Sequence, residues 1–220
     1  MSDDTLIHWQ RRFEAWHAAH GDTADAAHDI HHFRRVWRMA DTLAAEEGGT
    51  ADRLVLLAAA YFHDVVNPPK DSPLRPQASR LAAEKAVSLL TEMAFPPELL
   101  VGVAHAIAAH SFSANIIAVT SEAQILQDAD RMESLGAIGL ARVFYTSGKL
   151  GRPPFDAVDP LCKQRAPDDT LYGVDHFFTK LLRLPEKMQT ASGKRMAAAR
   201  AQVLTDYLQT LERELAAPAP

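Results

Sequence analysis

The chain reads as all-α, and three observations predict it. Alternation of β-branched with polar residues is almost absent, Ala, Leu, Glu and Arg recur at spacings of three and four, and short Gly- or Pro-bearing breaks punctuate the periodic stretches. At 220 residues, with 47% hydrophobic and 23% charged side chains and no low-complexity spacer, the composition predicts one globular domain over residues 1–220. A net charge of -5 lacks the basic footprint of a duplex-binding protein, although local basic pockets for small phosphorylated ligands remain open. No apolar run approaches the roughly 18 residues of a membrane span, and Met1-Ser2-Asp3-Asp4 opens with acid where a signal peptide carries base. A cytoplasmic protein without a membrane partner is expected, and the single Cys162 fits a reducing compartment.

The first helix is predicted over Thr5 to His20, with Ile7, Phe13, Trp16 and Ala19 inward, and Gly21-Asp22-Thr23 breaks it. A second runs from about Asp25 through His28, His32, Arg35, Val36 and Met39 to Glu47, closed by Gly48-Gly49 as a left-handed cap. Thr50 is the expected N-cap of the third, whose Leu54, Leu57, Ala58 and Tyr61 lead into His63-Asp64 before Asn67-Pro68-Pro69 removes backbone donors. The loop that follows, Lys70 to Pro76, lies next to that pair. Helices are further expected at Gln77 to Ala94, Glu98 to His110, about Ala123 to Tyr145, Thr170 to Leu184 and Glu186 to Leu215. Residues 147–169, rich in Pro, Gly and Asp, form the longest irregular stretch, and loops of that length are usually functional or mobile. Trp9 and Trp37 fit either a partner surface or the core, and oligomeric state is left open.

Chemistry concentrates in three places. His63 and Asp64 stand side by side at the end of an Ala- and Leu-rich run, where buried polar groups need partners, and a divalent cation is one such partner. His28 and His32 share a face at i, i+4, without the glutamate that follows the first histidine in zinc proteases. Asp128 and Asp130 are embedded among Ile125, Leu126, Ala129, Met132 and Leu135; about 200° apart on a helix, at most one of them faces a given ion. Arg131 is expected to pair with Asp128, leaving Asp130 for metal.

The order His32, His63-Asp64, Asp130 resembles the HD-domain metal-dependent phosphohydrolases. His28-Asp29-Ile30-His31-His32-Phe33-Arg34-Arg35-Val36 is similar to that family's first motif, and Phe62-His63-Asp64 with Lys70-Asp71-Ser72 to its second. Gln127-Asp128-Ala129-Asp130-Arg131 through Gly139 is similar to its third. The branch resembled is the small, single-domain bacterial one, which also shows Asp175-His176-Phe177-Phe178-Thr179-Lys180-Leu181-Leu182; Met132-Glu133-Ser134 departs from its usual Leu-Asp-Ala. The likeness covers roughly residues 25 to 215, with an HD core of about 25–145 and C-terminal helices of about 170–215.

The resemblance implies an HD-type helical bundle and metal ligation by His32, His63, Asp64 and Asp130, with His63 and Asp64 also catalytic. The nitrogen and oxygen donors suit Mn, Fe, Ni, Zn or Mg. The implied activity is hydrolysis of a phosphate ester or anhydride of a nucleotide by metal-activated water. Lys70 and Arg75 are the expected phosphate-holding cations, and His176 and Lys180, at i, i+4, the groups closing the cavity from the C-terminal side. Five apart on a helix, His105 and His110 diverge by about 140°, so both are not expected at one site. His110 is assigned to the substrate side. Two competing readings remain: a non-catalytic HD module that binds metal or nucleotide for regulation, and a plain helical interaction protein with these side chains far apart.

Overall fold

Caps decide where these helices begin and end, and a computed structural model, describing residues 2–20, 29–68, 72–111 and 114–216, shows where they fall. The helices are α1 (Asp3–His20), α2 (Ile30–Glu46), α3 (Arg53–Phe62), α4 (Ala78–Glu92), α5 (Leu100–His110), α6 (Ser121–Met132), α7 (Gly136–Lys149), α8 (Asp175–Thr179) and α9 (Ala191–Ala216). No strand occurs among the described residues, so the all-α expectation holds. None of their helices is long and apolar enough to cross a membrane. The contacts divide the chain into two compact units, residues 1–130 and 131–220.

In the N-terminal unit α3 is the hub, packed by α1, α2, α4 and α5. Every residue from Leu54 to Phe62 is buried, as a helix apolar on all sides requires. Its N-cap is Asp52, two residues past the expected Thr50, and one carboxylate oxygen accepts from the Leu54 and Val55 N–H groups at 2.8 and 3.1 Å. Aspartate serves that role at least as well as threonine. The expected start of the second helix near Asp25 lies outside the described residues. The structure starts α2 at Ile30, capped by Asp29, which accepts from the His32 N–H at 2.9 Å. Trp9 and Trp37 are both core residues.

The C-terminal unit packs α7 and α8-adjacent turns on α9, with Phe144, Phe177 and Tyr207 as an aromatic cluster. Two expectations are corrected there. The helix expected from Ala123 to Tyr145 is two: α6 ends at Met132 and α7 begins at Gly136, whose φ of 67° is open to glycine with little strain. The helix expected over Thr170 to Leu184 shrinks to α8 followed by 3-10 turns at Leu181–Arg183 and Pro185–Lys187. Gly173 leaves room for Ser147, whose Oγ would lie 2.7 Å from a β-carbon built there, and Lys180 departs from helical geometry at φ -136°. The last helix starts at Ala191 rather than Glu186, because Pro185–Lys187 forms one of those turns.

Candidate functional site

Four helix ends in the N-terminal unit bring the four expected ligands and His110 together. His32 lies in the first turn of α2, held by the Asp29 cap. His63 and Asp64 follow the last residue of α3 rather than lying within the helix, and Asp130 is two residues from the end of α6. His110 is the final residue of α5.

The ring nitrogens converge because their partners aim them. His63 Nδ1 lies 3.0 Å from the Ala60 carbonyl and His110 Nδ1 2.6 Å from the Ile107 carbonyl. A carbonyl only accepts, so both Nδ1 atoms carry the proton and both Nε2 atoms are left for the cluster. His63 Nε2 then stands 3.3 Å from His32 Nε2, 3.5 Å from an Asp64 oxygen and 3.7 Å from an Asp130 oxygen. His32 Nε2 is 3.6 Å from the same Asp130 oxygen, and His110 Nε2 is 3.7 Å from the other Asp64 oxygen.

These donors form two groups sharing His63, one of His32, His63 and Asp130 and one of His63, Asp64 and His110, each within 4.8 Å. The four ligands expected from sequence thus divide between the groups, and His110, placed on the substrate side, joins the second. The histidines are buried, whereas the Asp64 and Asp130 side chains are 18% and 31% exposed and form the open edge.

The electrostatics call for positive charge. Burial alone would lower the basicity of His63, but Asp64, and then Asp130, outweigh it and hold its pKa up to about 9. Burial likewise works against ionising Asp64 and Asp130, and the surrounding imidazoles overturn that, with both carboxyls well below the usual range. The residues fit a divalent cation by donor chemistry. Imidazole nitrogens and carboxylate oxygens converge at separations close to the roughly 3–4 Å between ligands that each lie about 2.1 Å from one ion.

The remaining expected residues fall as follows. Lys70 and His28 lie outside the described residues. Arg75 donates through Nη1 to Asn67 Oδ1 and, at 3.0 Å, to the Pro68 carbonyl, tying its own loop. His105 accepts from the Val119 N–H at 3.2 Å and so braces a loop. Arg131 donates to the Lys187 carbonyl at 2.5 Å. His176 pairs through Nδ1 with Asp169 at 2.6 Å, and Lys180 is exposed; both belong to the C-terminal unit. Spacing alone did not pick out His110 as a cluster member, because its placement depends on where α5 stops.

Known proteins share this fold. Residues 29–135 match the family model of the HD domain, which takes in every member of the cluster. The chain is similar to YpgQ of Bacillus subtilis, at 29% identity over 194 residues, 86% of this chain and 85% of that one. A crystal structure of YpgQ in complex with ADP superposes with a TM-score of 0.73 at 26% identity, covering 96% of each chain. An HD-superfamily hydrolase from Bacillus thuringiensis gives a TM-score of 0.72 at 26% identity over 98% of this chain and 99% of that one. Motif order, donor cluster and fold lead to one assignment: residues 29–135 match an HD domain, on a fold shared with an HD-superfamily hydrolase.

Proposed function

We propose that this protein is a metal-dependent phosphohydrolase that cleaves a phosphate ester or anhydride of a nucleotide. The observation that carries the reading is the convergence of His32, His63, Asp64, His110 and Asp130 from four helix ends. The hydrolase class of its relatives supports it, and the ADP bound by YpgQ supports a nucleotide as substrate. In this reading the chain works as one HD-type domain, with the HD core supplying the ligands.

His32, His63, Asp64 and Asp130 would hold the ion, and His110 would add a further nitrogen beside Asp64. A divalent ion held there supplies Lewis acidity toward a phosphoryl oxygen and lowers the pKa of a bound water toward neutrality. The protein's own part is orientation and charge. The Ala60 and Ile107 carbonyls fix the tautomers of His63 and His110, so neither ring has to reorganise when it becomes a ligand. Asp64 and Asp130 stay ionised and present their exposed edges to the incoming substrate. His63 and Asp64 are the catalytic pair in this assignment. Arg75 and Lys70 are assigned to neutralising phosphate charge, and His176 and Lys180 are the further substrate-binding groups of this reading.

Element-resolved metal analysis and a nucleotide hydrolysis panel, on the wild type and on Asp64→Ala, test this. The wild type should carry metal and turn over at least one nucleotide, and the variant should lose both, with turnover down by about 1,000-fold or more. Metal retention with unchanged turnover in Asp64→Ala defeats the ligand assignment. Metal without turnover of any phosphorylated compound in the wild type transfers the reading to a regulatory HD module.

A further inference from the structure

Helix α1 lies outside the matched segment of residues 29–135, yet its side chains reach both α2 and α3. Glu14 accepts from Arg34 Nε and Nη2, both at 2.8 Å, and from the Tyr61 hydroxyl at 2.7 Å. Phe13 packs edge-on against Phe62 at 5.1 Å. One turn further along, the His17 ring stacks on Phe62, 5.4 Å between centroids and 28° between planes, and lies 4.9 Å from Phe33. His17 Nε2 is 2.8 Å from the Tyr61 carbonyl, and against a carbonyl that nitrogen is the donor.

The Tyr61 carbonyl has a particular place in the chain. It is the acceptor that a continuing α-helix would offer to the Val65 N–H, four residues on. Val65 instead donates to the Phe62 carbonyl at 3.1 Å, and the Ala60 carbonyl is met by the ring of His63. The last three carbonyls of α3 are therefore met by three different donors, one of them from another helix. This partition ends the helix at Phe62 and sets the turn that carries His63 and Asp64.

We propose that His17 is a positioning residue for the metal centre: by taking the Tyr61 carbonyl it stops α3 one residue before His63 and holds the His63-Asp64 turn in its ligating arrangement. The proposal rests on the metal reading above and extends the functional unit beyond the matched HD segment. His17 acts through backbone and touches neither ion nor substrate.

Two substitutions in the full-length chain separate the hydrogen bond from the packing. His17→Phe keeps a ring against Phe62 and removes the donor, whereas His17→Gln restores an N–H at similar reach. Mn(II) affinity should fall by about 10- to 100-fold in His17→Phe, with a melting temperature close to wild type, and recover most of that loss in His17→Gln. In the metal-free protein the His63 ring nitrogen resonances should shift in the Phe variant and return in the Gln variant. Mn(II) affinity in His17→Phe within about two-fold of wild type overturns the proposal. Should His17→Phe melt early, His17→Leu is read against the same threshold. A wild type that binds no Mn(II), with His63 resonances that still move and return, removes the metal reading and leaves the positioning role standing; resonances that do not move remove both.

Discussion

Two carboxylate sites, one in each unit, solve the same problem in opposite ways. Asp175 in the C-terminal unit is fully buried and closed by its neighbours: Arg165 donates with Nη1 and Nη2 at 2.5 and 2.8 Å, and the Asp168 N–H donates at 2.6 Å. Burial would raise its pKa, and that fork holds it down instead, with the Cys162 thiol as a further donor. Burial, and then the hydrogen bond to Asp175, push the Cys162 thiol up to about 11, which leaves it a poor nucleophile. Asp64 and Asp130 are met instead by imidazole nitrogens at 3.5–3.7 Å, beyond good hydrogen-bond distance. A guanidinium is a permanent cation, whereas an imidazole is a ligand that gives up its proton. The first arrangement braces a loop, and the second, under the proposed function, would exchange a proton for an ion.

The largest effect expected to test that contrast is at Arg165. Arg165→Met leaves a buried carboxylate without its counter-charge and should cost about 3–5 kcal/mol in denaturant unfolding, while Mn(II) affinity stays at the wild-type value. Replacing Asp175 by Leu in the same chain should recover much of the loss. A variant that kept its stability and lost metal affinity would reverse the roles given to the two sites.

His110→Gln sharpens the comparison from the other side. As a member of the Asp64 group, His110 should weaken Mn(II) binding by about 10- to 100-fold in a competition titration when replaced. A raised KM at unchanged metal affinity would return His110 to the substrate side.

The smallest effect belongs to Glu14, another carboxylate with a permanent cation beside it. The Arg34 fork, working against burial, lowers its pKa to about 2. A depressed carboxyl stabilises the fold above its unfolded pKa and loses that contribution as pH falls through the folded one. The Arg34 side chain is 40% exposed, so the screened contribution is about 1–2 kcal/mol. Stability followed by tryptophan fluorescence should therefore fall for the wild type between about pH 4.5 and 2. Glu14→Gln should start lower at neutral pH and lose less across that window.

The helical class and the three ligand-bearing segments were legible because they rest on local signals: periodicity, breakers, and imidazoles or carboxylates on apolar stretches. What was not legible depends on where helices stop. The run through Met132, Leu135 and Ile138 keeps an apolar rhythm across the break at Gly136, so periodicity continues where the backbone does not. The close approach at the break is one that apolar rhythm does not register: a β-carbon on Gly139 would lie 2.3 Å from the Ser134 carbonyl group, five residues back. Asp52 and Thr50 are both plausible caps by residue type, and it is Asp52 that meets the Leu54 and Val55 N–H groups. His110 and His105 had equal claims by composition. The end of α5 sent one to Asp64, and the other to the Val119 N–H.

Assembling the cluster from helix ends has a mechanical consequence. Ends are where a helix frays first, while the middle of α3 opens only with the whole unit. An ion bound there would stitch together four of the loosest places in the unit. Loading should therefore slow amide exchange near Ile30, Asp64, His110 and Asp130 far more than it raises the resistance of the core to denaturant.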